Sequence, residues 1–544
     1  MQEGGKTVSQ AAVKAHTPAM ATEEAVEGYC VPLSVAPGER VALHAGATRR
    51  LAFGAVEPAS DKLTFDVEVA RLGATREVVH RAAALVAEPH VLPAQAFARG
   101  AGYPESASIP VGSDWRSGFY EVRLRARHAD GTSVERCAGF VLRAPRDAPR
   151  TRPLMALATN TWNAYNDWGG SNLYTGATHV SFLRPFSHGL IDRPEPLSHR
   201  NTNRERAPDL NMVGFGQYVS AQRLTPWCGS AGFASFDGQF IAWAERAGYV
   251  FDYATNADLE QRPELFEGRR LYISVGHDEY WSSGMRDTVE AHIAGGGNAM
   301  FLSGNTCFWQ VRLEDAGATM VSYKGLARGQ DPVKEPRLLT SFWSDPRIGR
   351  PETKLTGLTF TRGGYHRIAG GVPRGAGGYT VWRPRHWLFE GTDLRYGDVL
   401  GAEHGAVGYE CDGCALTLVD GLPVPTGEDG CPPGFEVLAT APARVWSVDE
   451  HGNDYPAILA ATRKRGELQD LALALLGDDS PESCRKLAHG NAVLGTYRAG
   501  GTVVSCGSTD WCSAWRAATR SSNASHAMRS PGSPAEPSIG GFYE

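Results

Sequence analysis

Several things are scarce in this 544-residue chain, and each scarcity removes a class of explanation. No apolar run approaches the roughly 20 residues that a membrane-spanning helix needs, so no membrane partner is expected. The first thirty residues hold no hydrophobic signal core, so no export signal is read and a cytoplasmic location is expected. Positive charge is short. Lys+Arg number 54 against 60 Asp+Glu, a formal net charge of −6, and such a balance argues against a nucleic-acid partner. Lysine is rare beside arginine, which genomic base composition explains without any function. The 10 cysteines are expected mostly as reduced thiols.

What is present reads as globular, with 42% apolar and 21% charged residues, and the length calls for two or three domains. Residues 1–24 are small and polar without a period and are expected to be disordered, as is the Ser/Ala/Pro-rich tail 519–544. Residues 25–145 carry short alternating runs such as LTFDVEVARL and SGFYEVRLRARH, separated by turns such as Ala129-Asp130-Gly131. This pattern predicts an all-β sandwich of immunoglobulin-like type. In the second run Tyr120, Val122 and Leu124 share one face, and Glu121 and Arg123 the other. A Pro/Arg linker, Pro145 to Pro153, follows. From about 150 to 518 strands alternate with helices, notably 239–247, 257–266 and 283–293. That spacing predicts an α/β domain with a doubly wound parallel sheet. A loop-rich insertion between Tyr174 and Phe233 has the length of an active-site lid.

The chemistry is concentrated in LYISVGHDEYWSSGM, Leu271–Met285. An apolar, β-branched run ends at Gly276. His277, Asp278, Glu279 and Tyr280 follow at once, and Ser282 or Ser283 can cap the next helix. Imidazole and carboxylates therefore sit where a strand stops and a helix starts, the edge at which open α/β sheets bind ligands. The plain alternative is a helix cap at Asp278 and a hydrogen-bonded core histidine. Three stretches echo this one after predicted strands: Thr159–Tyr174, Gly304–Trp309 and Val407–Asp412. Together they would bring Asn, Tyr, Trp, His and carboxylates to one edge, as in a pocket with amide donors and oxygen-rich metal ligands.

Six motifs carry a family resemblance. They are NTWNAYNDWGGSNLY at 160–174, SVGHDEYWS at 274–282, GNTCFWQVRLE at 304–314, HWLFEGTDL at 386–394, VGYECD at 407–412 and GSTDW at 507–511. In order and over residues 150–515 they resemble the C-terminal catalytic domain of the large (β) subunit family of N,N-dimethylformamidase. DWRSGFYEVRL resembles the immunoglobulin-like module that precedes it. The resemblance implies a glutamine-amidotransferase-like α/β fold and a mononuclear Fe(III) amidohydrolase with two tyrosinates and a glutamate on the metal. Glu279 matches the glutamate; Tyr165, Tyr174 and Tyr218 are the tyrosine candidates. His277 matches a histidine beside the iron, and Asn305 and Glu410 match polar catalytic residues. The implied reaction is hydrolysis of a small or N-substituted amide to acid and amine. Glu410 or His277 would serve as base and Asn305 as oxyanion donor, with Trp162, Trp168, Trp281 and Trp309 walling the pocket. A homo-oligomer is implied, and a separate small subunit is conceivable although the chain shows none.

Two rivals use other residues. Gly304-Asn305-Thr306-Cys307 resembles a nucleophile elbow lacking its second glycine, so a cysteine amidase on Cys307 is an alternative. A non-enzymatic sugar binder would use the tryptophans but leave His277, Glu279 and Glu410 without a task. Cys411 and Cys414 have zinc half-site spacing that Cys431 and Cys484 could complete, against free thiols or a disulfide.

Overall fold

The computed structural model describes residues 23–51, 54–146, 148–194, 208–366, 377–445 and 466–512. The expected disordered tail and residues 1–22 lie outside the described residues, as does part of the 174–233 insertion. Glu23 and Glu24, expected in the disordered stretch, already begin a strand.

The alternating runs fold as two facing sheets. One joins Glu23–Val31, Arg40–Arg50, Val56–Pro58 and Glu105–Pro110; the other joins Ser34–Val35, Ser133–Leu142, Gly118–Arg127, Leu63–Leu72 and Arg76–Ala87. Tyr120, Val122 and Leu124 enter a shared core with Phe65, Val67, Val41 and Leu43. The opposite face is not solvated as simple alternation suggests. Phe119 and Val141 belong to the core of the following region. Glu121 is 2% exposed and is held by Arg76 and Arg123. A second layer covers the Phe119–Glu121 end of this face, where Glu121 is buried and paired, whereas Arg125 and Arg127 farther along the strand stay exposed.

The following region is built on an eleven-stranded sheet. Asp252–Thr255, Leu154–Leu157, Leu271–His277, Asn298–Gly304 and Gly501–Ser505 lie side by side and parallel. Helices Asp237–Arg246, Asn256–Gln261 and Ser283–Ala294 fall between them in the chain. Beyond Gly501–Ser505 the sheet continues antiparallel through His489–Ala499, Glu436–Arg444, Thr359–His366 and Tyr409–Gly413. The doubly wound, glutamine-amidotransferase-like parallel sheet expected from the sequence is therefore incorrect: the sheet is mixed, and strand outweighs helix in the described chain. Parallel neighbours need a long crossover, whereas antiparallel ones need only a tight turn. At Ala499-Gly500-Gly501 such a turn is present, with Gly500 at φ +88°.

Candidate active site and metal centre

Local backbone chemistry sets the site. Leu271–His277 is buried along its whole length. Gly276 takes φ +74°, and a Cβ there would lie 2.2 Å from Phe236 Cβ. The parallel register pairs His277 with Gly304, which places two of the motifs next to each other. Gly304 is pressed between strands: a Cβ would meet the Glu410 carbonyl and the Thr509 amide, each at 2.4 Å. Asn305 and Cys307 follow in the left-handed region, φ +50° and +53°, a conformation costly for non-glycine residues. Their turn is held by Thr306 N–H donating to Asp412 Oδ2 (3.0 Å) and Cys307 N–H donating to the Asp278 carbonyl (2.8 Å). Ser282 caps the Ser283–Ala294 helix by accepting from Met285 N–H at 3.2 Å, as its position predicts.

The side chains converge on Glu279, which is 2% exposed. The Tyr174 hydroxyl donates towards both of its oxygens, at 3.0 and 2.9 Å, and lies 2.5 Å from the Tyr165 hydroxyl. Tyr280 OH donates to Tyr174 OH at 2.9 Å, and Lys324 Nζ donates to Tyr280 OH at 2.6 Å. Lys324 also lies over the Tyr174 ring, 3.5 Å from its centre, and 3.9 Å from Glu279 Oε1. On the other side His277 Nε2 is 3.2 Å from Glu279 Oε2 and 2.7 Å from Glu410 Oε2. Asn305 Nδ2 donates to Glu410 Oε2 at 3.2 Å.

His277 Nδ1 lies 2.7 Å from the Ser230 carbonyl. A carbonyl only accepts, so Nδ1 carries a proton and Nε2 faces the two carboxylates. Burial opposes charge on this ring, but Glu410 and Glu279 outweigh it and hold His277 well above its ordinary pKa. Burial likewise raises Glu279, yet Lys324 and His277 carry it below the usual carboxylate value. Burial, then Glu279, push the Tyr165 and Tyr174 phenols well above 10. Two buried atoms, His277 Nε2 and Asn305 Oδ1, have no well-aligned hydrogen-bond partner. The carboxylates near Nε2 act on it by charge, off the N–H direction.

This donor set suits a hard cation. Two phenols and a carboxylate offer oxygens 2.5–3.0 Å apart along the chain Tyr165–Tyr174–Glu279, close enough to share one ion. His277, Glu279 and Glu410 also lie close enough to share an ion, all three buried. In a second such group, Glu121, Cys137 and Asp192, the two carboxylates are paired with the guanidinium groups of Arg76 and Arg123.

Of the residues singled out from sequence, His277, Glu279, Glu410, Asn305, Tyr165 and Tyr174 meet here. Tyr218 does not take part in these contacts; its hydroxyl donates to the Pro194 carbonyl at 2.8 Å, beside the separate Phe215, Val219 and Leu224 cluster. Cys307 is fully buried with Trp281 and Trp343 in a different core cluster, and burial pushes its thiol well above 9. Trp162, Trp168 and Trp281 are core residues, at most 1% exposed. Trp309 alone of the four stands at the site, its ring centre 4.7 Å from Lys324 Nζ. Neither candidate ion-binding group among the described residues uses Cys411, Cys414, Cys431 or Cys484. Lys324 and the Ser230 carbonyl are additions that sequence reading missed, and Tyr409, whose hydroxyl lies 3.3 Å from His277 Nδ1, stood inside the VGYECD motif without a role of its own. For Lys324 the available signal was a lysine in a lysine-poor chain.

Residues 66–524 match the family described as N,N-dimethylformamidase beta subunit-like, C-terminal. The chain belongs to this family. It is 26% identical over 360 residues to the N,N-dimethylformamidase beta subunit of Alcaligenes sp, covering 61% of this chain and 43% of that protein. It is 26% identical over 353 residues to the same subunit of Paracoccus aminophilus, covering 60% and 42%. The matches thus span less than half the length of these curated relatives. Two solved structures, murine CRIg and CopC from Methylosinus trichosporium OB3b, each overlap 22% of the chain at TM-scores of 0.14 and 0.12 and identities of 15% and 21%. Likenesses that slight leave the fold to be described on its own terms. The family match reaches back into the sandwich, so it contains both the Gly118–Arg127 strand and every group around Glu279.

Proposed function

We propose that this protein is a metal-dependent hydrolase of an amide C–N bond, with Fe(III) held by Tyr165, Tyr174 and Glu279. The observation that carries the reading is the meeting of two phenols, buried Tyr165 and partly buried Tyr174, on one buried carboxylate, beside a His277–Glu410–Asn305 cluster, in a member of a dimethylformamidase family. Such an ion would polarise a carbonyl and acidify a bound water. Glu410 is the proton acceptor: its Oε2 is fixed by Asn305 and His277, and it would take a proton from water and return it to the departing amine. Asn305 has a second amide hydrogen for the developing oxyanion. His277, with Nδ1–H fixed on Ser230, presents Nε2 to Glu410 and Glu279. Lys324 approaches Glu279 from the Tyr280 and Tyr174 side. The substrate class is a small or N-substituted amide, and assembly with a second copy or a second subunit belongs to the same reading.

The test is metal analysis and a visible spectrum of the purified protein, alongside Glu279→Ala and hydrolysis assays on simple amides. About one iron per chain, with a tyrosinate-to-metal absorption lost in the variant, is expected. A folded, colourless, iron-free protein that added iron leaves unchanged would overturn the reading.

A further inference from the structure

The strand that carries Glu410 runs on into a feature that the proposed chemistry leaves unused. Tyr409–Gly413 is followed by Cys414 and by a hairpin of Leu416–Val419 with Leu422–Pro425. Leu416 pairs with Pro425, and Thr426 N–H donates to the Ala415 carbonyl at 2.8 Å. The chain then turns, Gly430 N–H donating to the Gly427 carbonyl at 3.1 Å. It returns so that the Cys431 carbonyl lies 4.0 Å from where a Cβ on Gly427 would stand. One carboxylate ties both limbs: Asp429 Oδ2 accepts from Ala415 N–H at 2.7 Å and Oδ1 from Cys431 N–H at 3.1 Å.

Inside that clamp the Cys414 and Cys431 thiols are near enough to act on each other, and that contact with burial holds the Cys414 thiol well above its ordinary range. They are 3% and 5% exposed and share a core cluster with Leu358, Phe435 and Val437. Both are free thiols. Cys411, although closer in sequence, belongs to a different core cluster. The hairpin beyond them stands out into solvent, with Leu418 70% and Val419 50% exposed. Segments with few buried apolar contacts open at lower cost than the core.

We propose that Cys414 and Cys431 form a disulfide by exchange with a small-molecule disulfide, stapling the hairpin to the strand that bears Glu410. One thiol gives up its proton and its sulfur attacks the small disulfide, releasing one thiolate, which is then protonated. The second cysteine attacks the mixed disulfide, forming the Cys414–Cys431 bond and releasing a second small thiol. The protein pair is oxidised by two electrons and the small disulfide reduced by two. The bond would close residues 414–431 into a loop and remove much of the freedom of the opened hairpin. Burial makes the exchange slow until the hairpin opens.

The test treats the reduced full chain with oxidised glutathione at neutral pH and, in parallel, refolds it from denaturant in a glutathione redox buffer. Non-reducing peptide maps follow. In at least one arm the peptides bearing Cys414 and Cys431 are expected to be joined, with the intact mass lower by two hydrogens. Protease cleavage within residues 415–430 is expected to slow about 10-fold against the reduced protein. Cys431→Ser should abolish both effects and leave Cys414 capped by glutathione. Recovery of Cys414 and Cys431 as free or separately capped thiols in both arms, or a bond from Cys414 to Cys411, would overturn the proposal. The wild-type map decides the matter even where the variant fails to fold.

Discussion

Glu279 and Glu410 divide the site between them. Glu279 gathers the phenols and Lys324, Glu410 gathers the Asn305 amide, and His277 touches both carboxylates. The division predicts different losses. Glu410→Gln keeps the shape and removes the proton acceptor, so turnover should fall about 10²–10⁴-fold while bound metal stays at the wild-type level. Steady-state kinetics with metal analysis check this; loss of metal in Glu410→Gln would move Glu410 into the ligand set. At this scale the sequence was legible where residues are contiguous. His277 and Glu279 stand out because a run of ionisable groups at a strand end has few structural uses. The choice among Tyr165, Tyr174 and Tyr218 was not legible, since a tyrosine carries no mark of which way its ring points. Lys324 was invisible for the same reason. It arrives from a loop 45 residues after Glu279, and only its burial against Tyr174 and Tyr280 gives it a role.

At the scale of the element, backbone geometry aims the side chains. Gly276 and Gly397 both adopt positive φ, +74° and +86°, but only Gly276 has a neighbour in the way, Phe236 Cβ at 2.2 Å. Alanine at either position meets the conformational cost of about 1 kcal/mol. Gly276→Ala should lose about 1–3 kcal/mol more through overpacking and should displace His277 and Glu279. Denaturant titrations of both variants check the difference, and equal losses would count against the packing argument. Element type was readable in advance. The helices expected at 239–247, 257–266 and 283–293 are present with shifted ends at Asp237–Arg246, Asn256–Gln261 and Ser283–Ala294, the second continued by a 3-10 turn, Pro263–Phe266. Their apolar spacing and caps are local properties. The left-handed turn at Asn305 and Cys307 was not readable, because it depends on Asp412 and the Asp278 carbonyl, which come from elsewhere in the fold.

Across the whole molecule, buried carboxylates couple stability to pH. Burial pushes Asp237 and Asp412 up to about 7. Between about pH 4 and pH 7 the folded chain keeps protons that the unfolded chain has released. The stabilisation is therefore complete below about pH 4 and is lost as the pH rises to about 7, by up to about 1.4 kcal/mol per pH unit for each group. Urea midpoints should fall between pH 5 and pH 7.5, and Asp237→Asn should flatten the slope; an unchanged slope would exclude Asp237 as a contributor. The sequence by itself determined the strand-rich first part, the strand–helix alternation around residues 250–300, and the adjacency of His277 and Glu279 at a strand end, because periodicity, caps and contiguous motifs are written in neighbouring residues. Only the tertiary structure decided that the large sheet turns antiparallel beyond Gly501–Ser505, that Tyr174 rather than Tyr218 meets Glu279, and that Cys414 shares a core cluster with Cys431 rather than with Cys411. Each of those depends on which distant segments pack together, and packing is a property of the folded surface rather than of any stretch of the chain.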